Sequence, residues 1–125
     1  MGAKTYREIV AWQLASEIRR DVVAILATAR ARADRRFCDQ LLASSASIAS
    51  NIAEGFGRFS AADFARMLSI ARGSLDETDN HLRDGAERGY LAPSEVAPTL
   101  VLCVRCRKAI NALQAYLRRY ARQRR

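Results

Sequence analysis

The sequence has few residues that interrupt helices and no long apolar run. Its 125 residues include six Gly and two Pro, too few for a collagen-like or low-complexity chain. Half of the residues are hydrophobic, which excludes a wholly disordered chain. The longest stretch without a charge, residues 40–53, carries hydroxyl and amide side chains and is shorter than the roughly 18 apolar residues of a membrane span. We expect a single helical domain over residues 1–125 that does not enter a membrane.

The beginning of the sequence has no signal-type apolar segment. Residues 4–8 are polar or charged, and no apolar core with a cleavage site of small residues follows them. This pattern argues against secretion, so we expect a cytoplasmic protein with reduced cysteines.

Acidic residues are missing from the last segment. Residues 96–125 contain no Asp or Glu, whereas the rest of the chain is electrically balanced, so the whole net charge of +8 comes from this segment. Such an excess indicates a polyanionic partner or an anionic surface. Six of its cations fall within an arc of roughly 120° beside the apolar face of a helix. We predict that they bind nucleic acid: Arg107, Lys108, Arg118, Arg119, Arg122 and Arg125.

Four helices follow from the apolar spacing and the capping residues. Thr5 and Glu8 form a capping-box pattern before a helix over about 6–32. Asp34 and Ser60 are suitable caps for the second and third helices, which end near Gly55–Gly57 and Gly85–Gly89. Pro93 and Pro98 belong to the start of the fourth helix. With short connections, these helices predict an all-α, up-down-up-down antiparallel four-helix bundle.

Two short stretches carry a resemblance to a known family. Residues 50–58 read Ser-Asn-Ile-Ala-Glu-Gly-Phe-Gly-Arg, and residues 71–77 read Ala-Arg-Gly-Ser-Leu-Asp-Glu. Together with the residues around them, they resemble the four-helix bundle proteins encoded in intervening sequences of bacterial large-subunit ribosomal RNA. The accessory proteins of diversity-generating retroelements are similar to the same family. The resemblance covers about residues 5–120.

The resemblance implies a bundle that assembles into a ring, commonly a pentamer, with a basic surface and an association with nucleic acid or a ribonucleoprotein. It implies no enzymatic activity. One departure concerns the positions after Gln40-Leu41, where basic residues are expected and this chain has Leu42 and Ala43. The C-terminal arginines are therefore the better candidates for anion binding.

A group of polar residues and glycines around the end of the second helix has two interpretations. It consists of Asn51, Glu54, Gly55, Gly57 and Arg58, with Ser74 and Glu77 of the third helix. They form either a small polar site or a structural motif whose donors and acceptors are satisfied where two helices approach closely. Because a catalytic pair of carboxylates would need a cleft and a partner chemistry that the sequence does not supply, we favour the structural motif and assign no catalytic residue.

The cysteines suggest a metal or redox site that their context does not support. Cys103 and Cys106 lie three apart on a continuous helix, and the only other candidates are Cys38 and His81. Zinc sites usually need a second closely spaced pair. We expect buried, reduced cysteines and no metal or other cofactor.

Two function classes remain open. The first is a non-enzymatic homo-oligomer that binds RNA or DNA through backbone phosphates, and the second is a protein-interaction scaffold without nucleic-acid contact. Trp12, Phe56 and Phe59 near helix ends favour an assembly larger than a dimer, because a small bundle buries such residues poorly. A second basic cluster around Asp34, formed by Arg30, Arg32, Arg35 and Arg36, lies at the opposite end of the bundle from the end of the fourth helix.

Overall fold

Helices account for nearly all of the regular structure. The structure is a computed structural model that describes residues 2–27 and 29–123, with only the backbone of Ala29 and Arg30. Its elements are a 3₁₀ turn (Tyr6–Glu8), α1 (Val10–Leu26), α2 (Ala29–Arg32), α3 (Arg35–Phe56), α4 (Ala61–Glu87) and α5 (Pro93–Gln123). These described ranges contain no β-strand. The all-α fold class is confirmed.

The four long helices pack in a ring, with α3 beside α4, α4 beside α5, and α1 beside both α3 and α5. Cross-helix hydrogen bonds show the relative directions of the helices. At each of three contacts, a later residue of one helix is bonded to an earlier residue of the neighbouring helix. These bonds join Ser47 to Ser74 and Ser44 to Thr78 between α3 and α4, Arg72 to Asn111 and Ala65 to Gln114 between α4 and α5, and Asp21 to Thr99 and Ala11 to Cys106 between α1 and α5. Neighbouring helices are therefore antiparallel, the arrangement of an up-down-up-down bundle.

The core consists of the apolar positions that recur at helical spacing. The positions at this spacing that are buried include Leu14, Ile18, Val22, Ile25, Phe37, Leu41, Ile48, Ile52, Phe64, Leu68, Leu75, Leu82, Val96, Cys103, Cys106, Ile110 and Leu117. Three depart from the pattern: Leu100 and Leu113 are half-buried, and Tyr120 is 39% exposed. The buried polar side chains are Ser44, Ser45, Thr78, Thr99 and Gln114, and no buried side-chain N or O atom in the described residues lacks a hydrogen-bond partner.

The prediction of one helix over 6–32 is wrong. The capping box is present, with Glu8 accepting from the backbone amides of Lys4 and Thr5, but it starts only a 3₁₀ turn. Ile9 then adopts an extended conformation (φ −78°, ψ 122°), buries its side chain, and accepts the amide of Gln13 3.0 Å away. Burial of Ile9 in the core thus competes with continuation of the helix and breaks it.

The same predicted helix also ends early. The α1 helix stops at Leu26, and the four-residue helix α2 follows. Ala31 of α2 is fully buried, and its carbonyl oxygen lies 2.9 Å from the Sγ of Cys38 in α3. After the break, the short α2 contacts α3.

The predicted caps of the next two helices are present. Asp34 accepts the amide of Phe37 at 2.9 Å, and Ser60 accepts the amide of Asp63 at 3.0 Å. The α4 helix ends at Glu87, and Gly89 has φ +75°, a conformation that favours glycine. None of the described helices is long and apolar enough to cross a membrane.

Candidate nucleic-acid interface

The cations predicted to form one surface divide into three groups. Arg107 points toward α4, where its Nη2 and Nε lie 2.7 and 3.1 Å from Oδ1 of Asp76. Arg118 and Arg122 flank the seam between α5 and α4. Lys108 and Arg119 are exposed at helical positions turned away from that seam. Arg125 lies outside the described residues.

Arg107 is therefore a poor candidate for phosphate binding. Its guanidinium is engaged by Asp76, and its side chain is only 31% exposed. The hydrogen bond to Asp76 raises the pKa of Arg107, so its guanidinium stays protonated at any physiological pH. Reading the helix face alone could not reveal this pair, because Asp76 belongs to another helix.

Arg118 and Arg122 border a basic groove between α4 and α5. The groove has a volume of about 410 Å³, and its lining includes Ala62, Ala65, Arg66, Ser69, Arg118 and Arg122. No acidic residue is among the lining residues. The alanines leave space between the arginines, so the groove combines three guanidinium groups with room for an anion.

Arg66 is the member of this groove that the sequence analysis missed. The alignment of α4 with α5 along their common axis identifies Arg66 as a groove residue. Gln114 donates to the Ala65 carbonyl at 2.8 Å and to Ser69 Oγ at 2.6 Å, and antiparallel packing then places Arg66 beside the last turns of α5. The predicted set of cations was taken from the fourth helix alone, so it could not include an arginine of α4.

A polar network around the buried Gln114 holds the two walls of the groove in register. Gln114 is buried, and its Oε1 accepts from Arg72 Nη1 at 2.7 Å. The same Arg72 nitrogen donates to Asn111 Oδ1 at 2.9 Å. Since buried amides require their partners, this network fixes α5 against α4, the two helices whose Arg66 and Arg118 line the groove.

An aromatic cleft lies at the same end of the bundle. Its volume is about 210 Å³, and its lining includes Arg58, Phe59, Phe64, Tyr116 and Tyr120. The rings of Tyr116 and Tyr120 stack at a centroid distance of 6.3 Å with an interplanar angle of 25°. Phe59 is fully exposed, at 109% of its reference area.

The other two aromatic residues expected at a contact between copies are largely accommodated within the bundle. Trp12 packs edge-on against Tyr6 at 5.2 Å, and Phe56 packs edge-on against Phe64 at 6.2 Å. Both side chains are half-buried against the core. Of the three, Phe59 alone remains fully exposed.

The polar group at the end of α3 does not come together as one site. Asn51 donates to the carbonyl and the hydroxyl of Ser47 at 2.7 and 2.8 Å, and the Ser47 hydroxyl is 2.8 Å from that of Ser74. Glu54 instead pairs with Arg58 at 2.7 Å within its own helix.

Glu77 is also directed elsewhere, since its Oε1 lies 3.4 Å from Nε2 of His81, one turn further along α4. The arrangement favours the structural interpretation of this group, in which polar side chains satisfy one another between α3 and α4.

The two glycines of this group differ in their roles. Gly55 is buried, and a Cβ there would lie 2.7 Å from Phe64 Cδ1 and 2.9 Å from Met67 Cβ. Gly57 caps α3 with φ −78° and would accept a Cβ at ordinary contact distance. Only Gly55 is required for the close approach of α3 and α4.

Cys103 and Cys106 are buried one turn apart on α5, and Cys38 is half-buried. Desolvation raises the pKa of Cys103 and of Cys106 to about 12. Burial also raises the pKa of Cys38, which lies on α3. Within the described part of the chain, no three His, Cys, Asp or Glu residues are grouped closely enough to hold a metal ion.

The second basic cluster is located at the opposite end of the bundle, where α3 begins. Arg32, Arg35 and Arg36 are exposed there; the Arg30 side chain lies outside the described residues. Nearby, Asp34 accepts from Arg88 Nη2 at 3.0 Å and from the Tyr90 hydroxyl at 2.9 Å. This end therefore carries acidic and basic groups together, unlike the groove.

A solved structure and a family match provide comparisons. The solved structure is that of a protein of unknown function from the S23 ribosomal protein family of Bacteroides thetaiotaomicron. Its TM-score with this chain is 0.76 at 22% identity, over 84% of this chain and 98% of the other, which supports the fold alone. None of the curated proteins matches this chain. Residues 7–112 match the model of the 23S rRNA-intervening sequence protein family, and the chain belongs to that family.

Proposed function

We propose that this protein is a non-enzymatic homo-oligomer that binds RNA or DNA through backbone phosphates in the basic groove. The observation that carries the proposal is the convergence of Arg66, Arg118 and Arg122, from two helices, on a groove without an acidic lining residue. Arginine is well suited to phosphate, because its planar guanidinium offers several donors.

The charge balance of the groove supports this assignment. Across residues 2–27 and 29–123, Arg66, Arg118 and Arg122 form no ion pair, whereas Arg107 is paired with Asp76 and Arg72 is held by two amide oxygens. The groove arginines are thus available for an external anion. Lys108 and Arg119 extend the positive surface along the outer side of α5.

The family resemblance suggests that the homo-oligomer is a pentameric ring. Exposed apolar side chains support the formation of an oligomer. Val10, Val101 and Val104 are among the exposed large hydrophobic residues. An apolar groove of about 570 Å³ also opens between the start of α1 and the middle of α5. Repetition of the basic groove around a ring would multiply phosphate contacts along one strand. Native mass spectrometry tests this part, and a monomer at micromolar concentration would contradict it.

The test of phosphate binding compares two triple variants with the same change in charge. Replacing Arg66, Arg118 and Arg122 with Gln should weaken binding to unrelated sequences alike. It should also flatten the log-log salt dependence by about two units on single strands. The matched control replaces Arg32, Arg35 and Arg36 at the opposite end and should leave the slope nearly unchanged.

The alternative is a protein-interaction scaffold, and the exposed Val101 and Val104 on α5 favour it. Under this alternative the unmodified protein binds neither RNA nor DNA at low salt. If the two triple variants reduced the salt slope equally, net charge alone would explain binding, and the groove would have no special role.

A further inference from the structure

The aromatic cleft and the basic groove lie on two sides of the same helical turns. Leu117 and Tyr120 line the cleft, whereas Arg118 and Arg122 line the groove. The first turn of α4 contributes to both in the same way, through Ala61 on one side and Ala62 on the other. Successive residues of a helix are turned by about 100°, and a helix with its side chains is about 10–12 Å across. The stacking surface and the phosphate-binding surface are therefore about one helix width apart.

The aromatic cleft also has the composition of a base-stacking surface. Phe59 offers both ring faces, because nothing in the described chain covers it. Tyr120 presents a partly exposed ring that is stacked on Tyr116. Arg58 also lines the cleft, with its guanidinium held by Glu54 at 2.7 Å.

From this juxtaposition we infer that the protein binds single-stranded nucleic acid, with an unpaired base in the aromatic cleft and the adjoining phosphate in the basic groove. This inference rests on the proposed function and narrows it. In a duplex the bases are stacked on one another inside the helix, so a ring such as Phe59 reaches no base face. A single strand can turn a base outward while its phosphate stays with Arg118 and Arg122.

Stacking on aromatic side chains tolerates any base, since every base has a π face. The site therefore distinguishes single-stranded from double-stranded nucleic acid but does not distinguish one base sequence from another. Oligouridylate and oligothymidylate are expected to bind alike, because no contact to the sugar 2′-hydroxyl enters the argument.

The experiment compares an oligothymidylate with an abasic strand of the same length and phosphate count, by fluorescence anisotropy. The oligothymidylate should bind about tenfold more tightly, in line with one or two stacked bases. Phe59→Ala should remove most of this difference while leaving the abasic strand and its salt slope unchanged. Val23→Ala, an exposed apolar residue on α1, is the matched control and should change neither.

Several outcomes would overturn the inference and leave phosphate binding intact. These are equal affinity for the two strands, tighter binding of the corresponding duplex, and an equal loss on both strands in Phe59→Ala. A lower assembly mass in Phe59→Ala with that equal loss would assign Phe59 to a contact between copies. Absence of binding to every strand would instead reject the proposed function itself.

Discussion

Arg107 of α5 and Asp76 of α4 form an ion pair in which two guanidinium nitrogens approach one carboxylate oxygen, at 2.7 and 3.1 Å. The pair crosses the α4–α5 seam beside the buried Cys103 and Cys106 layer. It removes one cation from the surface predicted for nucleic acid and uses it to join two helices. The functional surface is therefore set by pairings between helices as well as by the charge of α5.

This relationship predicts different effects for two single substitutions on the same helix. Arg118→Gln should flatten the salt dependence of binding to single strands by roughly 0.7 log-log unit. Arg107→Gln should leave that slope unchanged and reduce the free energy of unfolding by about 0–1 kcal/mol, because Asp76 is exposed enough for solvent to screen the pair. Salt titrations and urea unfolding of both variants check the prediction, and equal slopes would contradict it.

The sequence predicted best what depends on neighbours along the chain. The caps at Asp34 and Ser60 and the buried apolar positions of α3 and α4 follow from local spacing, and the structure confirms them. Arg66 and Asp76 were missed because their partners are 52 and 31 residues away in sequence. Their positions depend on the register between α4 and α5, which the apolar pattern of a single helix does not determine.

The broken first helix has a related explanation. The capping box at Thr5 and Glu8 is a local signal, and it formed. The extended conformation of Ile9 depends on a buried position supplied by the assembled bundle. Tertiary packing overrides helix propensity at such sites, and only the three-dimensional core shows where this happens.

The close approach at Gly55 predicts opposite effects for two glycine substitutions. Gly55→Ala should lower the free energy of unfolding by about 1–3 kcal/mol, because the new Cβ would overlap Phe64 and Met67. Gly73→Ala should raise it by roughly 0.5–1 kcal/mol, since Gly73 lies inside α4 with no atom within 4 Å of the new Cβ. Urea unfolding of both variants measures the difference, and a stabilised Gly55→Ala protein would refute the packing argument.

Asp34 predicts a specific acid dependence of stability. The Phe37 amide and then the Tyr90 hydroxyl lower the pKa of Asp34, with Arg88 contributing as well. A lowered folded-state pKa stabilises the fold above the unfolded value of about 3.9, and this contribution disappears as pH falls through the folded value.

Thermal unfolding between about pH 2 and 7 should therefore show a smaller acid-dependent loss in Asp34→Asn than in the unmodified protein. Asp39→Asn, which alters a nearby exposed acid, is the matched control and should retain the full dependence. Parallel pH profiles for the unmodified protein and Asp34→Asn would show that Asp34 is not responsible.

The buried thiols predict low reactivity in the folded protein. Desolvation raises the pKa of Cys103 and Cys106 to about 12, so at pH 8 almost none of either residue is thiolate, the reactive form. Alkylation by iodoacetamide should therefore be slow at both sites until the bundle opens, and it should accelerate in urea. Peptide mass spectrometry separates them from Cys38, and rapid modification of either in native buffer would contradict their burial.

Replacing Cys103 and Cys106 with Ala should act through packing alone. Each loses a buried sulfur and leaves a small cavity, so each substitution should lower the free energy of unfolding by about 1 kcal/mol. The double variant should keep its helical circular dichroism and its affinity for single strands, because neither sulfur lines the basic groove or the aromatic cleft. Elemental analysis provides the decisive comparison: stoichiometric zinc in the unmodified protein and its loss in the double variant would show that the cysteines bind metal instead of filling the core.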